Sequence, residues 1–176
     1  MADNGQLVCV LAGAASAVNK VKPYTTGVIG RANIEYPDQP AGNATLLKVI
    51  GNTFIINMVS QLSEGHVLAE KSGLGVDNLQ AFLSTMFPGP YTAYSQRMLA
   101  GDYYQREEPL FHIDLARKDA RHARDLADRS GASVKMLELA QERLDKVKEE
   151  IGNQGDIPSV YGVVRMESGL EFKNKG

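Results

Sequence analysis

Lys48 and Asn52 stand four residues apart in the stretch Gly42-Asn43-Ala44-Thr45-Leu46-Leu47-Lys48-Val49-Ile50-Gly51-Asn52. On a helix, that spacing projects both side chains from one face. The pair joins a titratable donor to a carboxamide that both donates and accepts hydrogen bonds. Such a pair can hold a polar ligand. Leucine would suit burial better at either position, and polar groups buried without partners cost free energy. Two of them on one apolar helix mark a candidate site.

The elements that must carry this pair are helical. The apolar pattern predicts a helix over 43–71, apolar nearly all round in its middle, as the centre of a bundle requires. Gly73 followed by Leu74 supplies a left-handed stop. Asp77-Asn78-Leu79-Gln80 reads as a capping box that opens a helix reaching Met86. Pro88-Gly89-Pro90 breaks it, and a third helix is expected over 91–99. Residues 101–109 read as a polar, aromatic loop. A fourth helix starts at His112 or Ile113 and stops at Gly131. The fifth, over 133–151, carries Leu137, Ala140, Leu144, Val147 and Ile151 at alternating spacings of three and four. A short helix over 157–166 and a frayed tail over 169–176 complete the chain.

Before Pro40 the signals are mixed. Residues 6–13 and 32–37 read as strands, with a short helix over 14–22 between them. Two strands and a helix have too few faces of their own to form a domain. The expected fold class is therefore mainly α: an all-helical bundle around one long central helix, preceded by a small α/β piece. The expected boundaries are 1–40, 41–168 and a flexible tail over 169–176.

Composition excludes several function classes. The formal net charge is -2 and no basic surface is concentrated anywhere, so no nucleic-acid partner is expected. Lys48, Asn52 and Asn57 interrupt the longest apolar run, so no membrane span is expected. Met1-Ala2-Asp3-Asn4-Gly5 is acidic where a leader would be basic. Cys9 is the single cysteine and lies in an apolar strand, which fits a reducing, cytoplasmic setting. His66, His112 and His122 lack metal-ligand spacing, so no metal is expected.

Four places read together resemble the helical C-terminal domain of the β-hydroxyacid dehydrogenases, the family of 3-hydroxyisobutyrate dehydrogenase and relatives of 6-phosphogluconate dehydrogenase. Lys48 and Asn52 match the family's catalytic lysine and the asparagine four residues on. Glu64 to Leu74 matches its segment leading to Gly-Leu. Met98, Gly101 and Tyr103 match its Met-x-x-Gly-x-Tyr stretch, and Phe111, Leu115 and Lys118-Asp119 match its Phe-x-x-x-Leu-x-x-Lys-Asp block. Gly42 matches the first glycine of a Gly-x-Gly turn, but Ala44 holds the second position.

The resemblance implies that Lys48 exchanges a proton with the substrate hydroxyl, that Asn52 orients it, and that Lys118 reaches an NAD or NADP cofactor. It implies a small hydroxycarboxylate or its aldehyde as substrate, and a homo-oligomer. A lysine in water holds its proton too tightly to act as a base near neutrality; burial or a nearby cation weakens that hold. Asp119 is expected to be a structural partner. The first part resembles the end of that family's nucleotide-binding domain. No Gly-x-Gly-x-x-Gly opens a βαβ unit in the chain, so the resemblance makes it a C-terminal portion of such an enzyme. Without that phosphate cradle, neither tight NADPH binding nor turnover is expected of the chain by itself.

Two other readings compete. The chain is alternatively a non-catalytic helical association module derived from that family. The other is an imine reductase relative; those enzymes share the architecture but commonly place another residue where Lys48 stands, so the lysine argues against it.

Overall fold

The structure, a computed structural model, describes residues 2–174. It divides into two compact units, Met1–Gly51 and Asn52–Gly176. The division falls inside the long helix, eleven residues beyond the boundary at Pro40 that composition predicts.

In the first unit, strands β1 (Leu7–Gly13) and β2 (Gly30–Pro37) pair in parallel, with Val8 opposite Ala32 and Gly13 opposite Pro37. Parallel strands need a crossover, which helix α1 (Ala15–Val21) provides. Asp38 Oδ1 accepts from the Ala15 amide at 2.8 Å and ties the start of α1 to the end of β2. Gly30 is required where β2 begins: a Cβ there would lie 2.7 Å from the Leu7 carbonyl oxygen. A two-stranded pair cannot cover its own faces, and Val8 and Ile34 stay exposed.

Helix α2 runs unbroken over Gly42–Lys71. Its buried side chains begin only at Ile56 and continue through Val59, Leu62, His66 and Ala69. The bundle thus encloses the second half of the long helix, while Leu46, Ile50 and Phe54 on the first half are exposed. Gly73 stops α2 at φ 79°, as expected. Ala44 lies within α2 and no positive φ occurs at that turn, so alanine fits where the family pattern has glycine.

Helix α3 (Val76–Met86) opens at Gly75 with no side-chain cap. The expected capping box is absent because Asp77 lies inside the helix. Asn78 instead donates to the Leu74 carbonyl at 2.7 Å and Gln80 Nε2 to Ser84 Oγ at 3.1 Å. Helix α4 (Pro90–Leu99) packs on α3. The expected loop after it holds one short helical turn, α5 (Asp102–Gln105), entered through Gly101 at φ 76°.

Helix α6 (Ile113–Ser130) is capped by His112, whose Nδ1 accepts from the Asp114 amide at 3.2 Å, and ends at the left-handed Gly131. Its buried stripe is Ala116, Ala120, Ala123 and Ala127, and these small side chains let α7 (Lys135–Ile151) approach closely. From α7, Leu137, Ala140, Leu144 and Val147 meet it, as the periodicity predicts. A 3-10 turn (Ile157–Ser159) and α8 (Val160–Glu167) follow, with every residue over 155–165 buried.

Buried charge organises this core. Asp156 accepts from Arg97 Nη2 at 2.6 Å and from the amides of Leu110, Phe111 and Ile157. Arg165 bonds Glu70, and Arg143 bonds Glu64 at 2.7 Å, so both carboxylates of the Glu64–Leu74 segment anchor α2 to the rest of the bundle.

Part of the segment expected to be a flexible tail makes contacts with the bundle at Phe172 and Asn174. Tyr103 donates its hydroxyl to the Phe172 carbonyl at 2.7 Å and accepts from the Asn174 amide at 3.0 Å. The Phe172 ring lies where a Cβ on Gly162 would sit. Residues 175–176 lie outside the described residues. No described helix is long and apolar enough to cross a membrane.

Candidate functional site

Asn52 and Lys118 meet at one carboxylate. Asp119 on α6 is only 3% exposed. Its Oδ2 accepts from Asn52 Nδ2 on α2, and its Oδ1 lies 3.0 Å from Lys118 Nζ. The helix places Asp119 on the inner side of α6, next to the buried Ala116 and Ala120, while the adjacent Lys118 carries its ammonium outward. A carboxylate buried at that depth requires compensation: Asn52 donates a hydrogen bond to Oδ2, and the Lys118 ammonium stands within ion-pair distance of Oδ1.

This arrangement assigns the Asn52 amide. An ionised carboxylate only accepts, so the NH2 end faces Asp119 and the carbonyl oxygen remains as the acceptor. Asn52 therefore presents an acceptor to anything bound beside it.

Lys48 lies one turn before Asn52 on the continuous α2. The expectation that aliphatic packing encloses its ammonium is not met: Lys48 is exposed, as are Leu46 and Ile50 beside it. Leucines and isoleucine around a lysine read as a core in the sequence, but burial of α2 starts two turns later.

Tyr103 and His66 lie buried within the bundle. Tyr103 is 2% exposed and stacks edge-on with Tyr104, Tyr161 and Phe172 at centroid distances of 4.8, 5.7 and 5.5 Å. Its burial pushes the phenol well above its usual range. His66 is fully buried against Ser95, Nε2 to Oγ at 2.6 Å, and burial lowers it to about 4, so it is neutral. Asp119, expected from the sequence as a structural partner, stands beside Lys118 on a helix whose inner stripe is alanine.

For a nicotinamide dinucleotide, the residues at hand fit in part. Lys118 offers a half-exposed ammonium whose direction Asp119 fixes, and a cation so held suits phosphate or carboxamide oxygens.

The sequence model of one family, described as NAD-binding of NADP-dependent 3-hydroxyisobutyrate dehydrogenase, matches residues 42–164. The chain belongs to the 3-hydroxyisobutyrate dehydrogenase family. The matched region contains Lys48, Asn52, Lys118 and Asp119. An NADH-dependent oxidoreductase of Aspergillus ustus is 35% identical over 167 residues, covering 94% of this chain and 55% of that protein. Glyoxylate/succinic semialdehyde reductase 1 of Arabidopsis thaliana is 29% identical over 84% of this chain and 49% of its own length. The chain thus spans about half the length of these curated relatives of the 3-hydroxyisobutyrate dehydrogenase family. Among solved structures, Mycobacterium tuberculosis 3-hydroxyisobutyrate dehydrogenase with L-serine shares the fold (TM-score 0.73, 21% identity, 93% of this chain and 57% of that one). So does Psf3 in complex with NADP+ and 2-OPP (TM-score 0.74, 19% identity, 93% and 55%).

Proposed function

We propose that this chain forms the substrate-side part of an NAD(P)-dependent oxidoreductase that interconverts a small hydroxycarboxylate and its aldehyde. The observation that carries this reading is the Asn52–Asp119–Lys118 arrangement, which joins residues from two distant helices at one buried carboxylate. The glyoxylate/succinic semialdehyde reductase relative supports the substrate class: short carboxylates with a reducible carbonyl. A nicotinamide dinucleotide supplies hydride chemistry when bound.

The roles of this chain's residues follow from their groups. Lys48 Nζ gives a proton to the carbonyl oxygen during reduction, or takes the hydroxyl proton during oxidation. Asn52 offers its carbonyl oxygen to that hydroxyl and so fixes its direction. Lys118, directed by Asp119, holds the cofactor by a charge-assisted hydrogen bond. Because Lys48 is exposed, the water-excluding wall around it must come from the bound molecules or from further protein.

The test is to join a nucleotide-binding domain of the family upstream and assay glyoxylate and succinic semialdehyde with NADH and NADPH. Reduction of either substrate supports the reading; no turnover of either, in a folded fusion that binds dinucleotide, refutes it.

One observation favours a second reading as an association module. Leu46, Ile50 and Phe54 recur every fourth residue on α2 and are 43%, 47% and 73% exposed. Such a stripe favours a homo-oligomer or another protein surface. Light scattering that shows a monomer at micromolar concentration would count against it.

A further inference from the structure

Helix α3 is loosely seated. It buries one of its eleven residues, Leu83, whereas α8 buries six of eight. Leu79 rests against Gly65 of α2, and Phe82 and Met86 stay exposed. Glycines with positive φ stand at both ends, Gly75 at 87° and Gly89 at 94°. A segment with few buried apolar contacts opens at lower free energy than the core beside it. Element ends absorb such motion, and glycine at positive φ turns most freely there. The flanking helices are fixed. Helix α2 buries side chains from Ile56 to Ala69, and α4 is held by Ser95, Met98 and the 2.6 Å Arg97–Asp156 pair.

A chain of uncharged hydrogen bonds crosses from α2 through α4 to α3. Gln80 on α3 donates through Nε2 to Ser84 Oγ at 3.1 Å, while its Oε1 receives the Ser95 hydroxyl from α4. A hydroxyl has one proton to give, so Ser95 Oγ accepts from His66 Nε2 on α2, at 2.6 Å. That order fixes neutral His66 as the tautomer protonated at Nε2. His66 and Ser95 are fully buried, so Ser95 has no water to turn to while Gln80 is in place. Hydrogen bonds aligned in series polarise one another, and losing Gln80 weakens the whole chain.

We propose that α3 is a flap. It swings as one body about Gly75 and Gly89, and the His66–Ser95–Gln80 chain latches it shut. Val76 and Asp77 at its start form one side of a cavity of about 850 Å³, with Glu70, Tyr161 and Arg165 on the others. Opening removes that side and bares the face of α3 that carries Leu79 and Leu83. Neither hinge nor latch includes Lys48, Asn52, Lys118 or Asp119, so the flap does not depend on the proposed chemistry.

Native-state hydrogen exchange followed by NMR on the 176-residue chain tests this. The amides of α3 should exchange together, with an opening constant roughly tenfold or more above that of α6 and α7. Gln80→Ala should raise the α3 opening constant about tenfold and leave α6 and α7 unchanged. Gln80→Glu keeps an acceptor oxygen for Ser95 and should restore most of the closure. Nitrogen-15 NMR should find the His66 proton on Nε2. Exchange in α3 no faster than in α6 and α7, or a His66 proton on Nδ1, would overturn the proposal. So would wild-type α3 exchange in Gln80→Ala, equal acceleration of all three helices, or a Gln80→Glu variant as open as Gln80→Ala.

Discussion

Asn52 on α2 donates its carboxamide N–H to Asp119 on α6, 67 residues away in sequence, and so couples the two helices that carry the candidate site. Removing the carboxylate leaves a half-buried amide without its acceptor and Lys118 without its counter-ion. Asp119→Ala should lower stability to urea unfolding by about 1–3 kcal/mol. Asp119→Asn keeps the volume but offers one acceptor oxygen instead of two. It should cost less stability and still uncouple Lys118. Wild-type urea midpoints in both variants would remove Asp119 from this role.

His66 gives a pH prediction with a defined sign. Its folded value is lowered from 6.5 to about 4 by burial, so the folded state binds the proton less well than the unfolded chain. The neutral form is fully in place above pH 6.5, and stability falls as pH drops through the window towards 4, by about 3 kcal/mol in total. Proton NMR of the His66 ring should show no titration above pH 5 in the native protein. An inflection near 6.5 would contradict the burial argument.

Tyr103 secures the chain end through one hydroxyl that both donates and accepts. Tyr103→Phe should cost about 1–2 kcal/mol and speed amide exchange at Asn174 more than in α6. Gly162→Ala should act on the same contact, because the new methyl would overlap the Phe172 ring. Unchanged exchange at Asn174 in Tyr103→Phe would show that the tail is held by other means.

Asp156 accepts one side-chain and three backbone hydrogen bonds. Replacing it with alanine leaves Arg97 only its longer contact to Asp102, at 3.6 Å, and uncaps the turn before α8. The expected loss is about 3–5 kcal/mol, the range for breaking a buried pair on one side. Calorimetric unfolding of Asp156→Ala should show a large drop in midpoint or no cooperative transition. A near-native midpoint would contradict it.

Much of the helical layout was legible because it rests on local signals. The three-four spacing of Leu137, Ala140, Leu144 and Val147, the stop at Gly131 and the Pro88-Gly89-Pro90 break all survive in the structure. What failed depends on distant partners. Asp77 has the composition of a cap, but Gly75 takes the cap position of α3 two residues earlier. The tail looks polar and short, yet Tyr103 holds it from 69 residues away. Apolar neighbours made Lys48 read as enclosed, whereas hydropathy cannot say which half of α2 the bundle covers. At the candidate site, Asn52 and Lys118 stood out one by one, but the carboxylate that joins them is visible only when α2 and α6 are side by side.

Proton transfer by Lys48, as proposed above, is tested most directly by one measurement. In a fusion that supplies the family's nucleotide-binding domain, kcat of Lys48→Ala is compared with wild type across pH, with thermal unfolding as the control. Because Lys48 is exposed, the midpoint should hold, while kcat falls by roughly 10²–10⁴ and loses its pH dependence. A kcat close to wild type, with the same pH profile, would contradict the account.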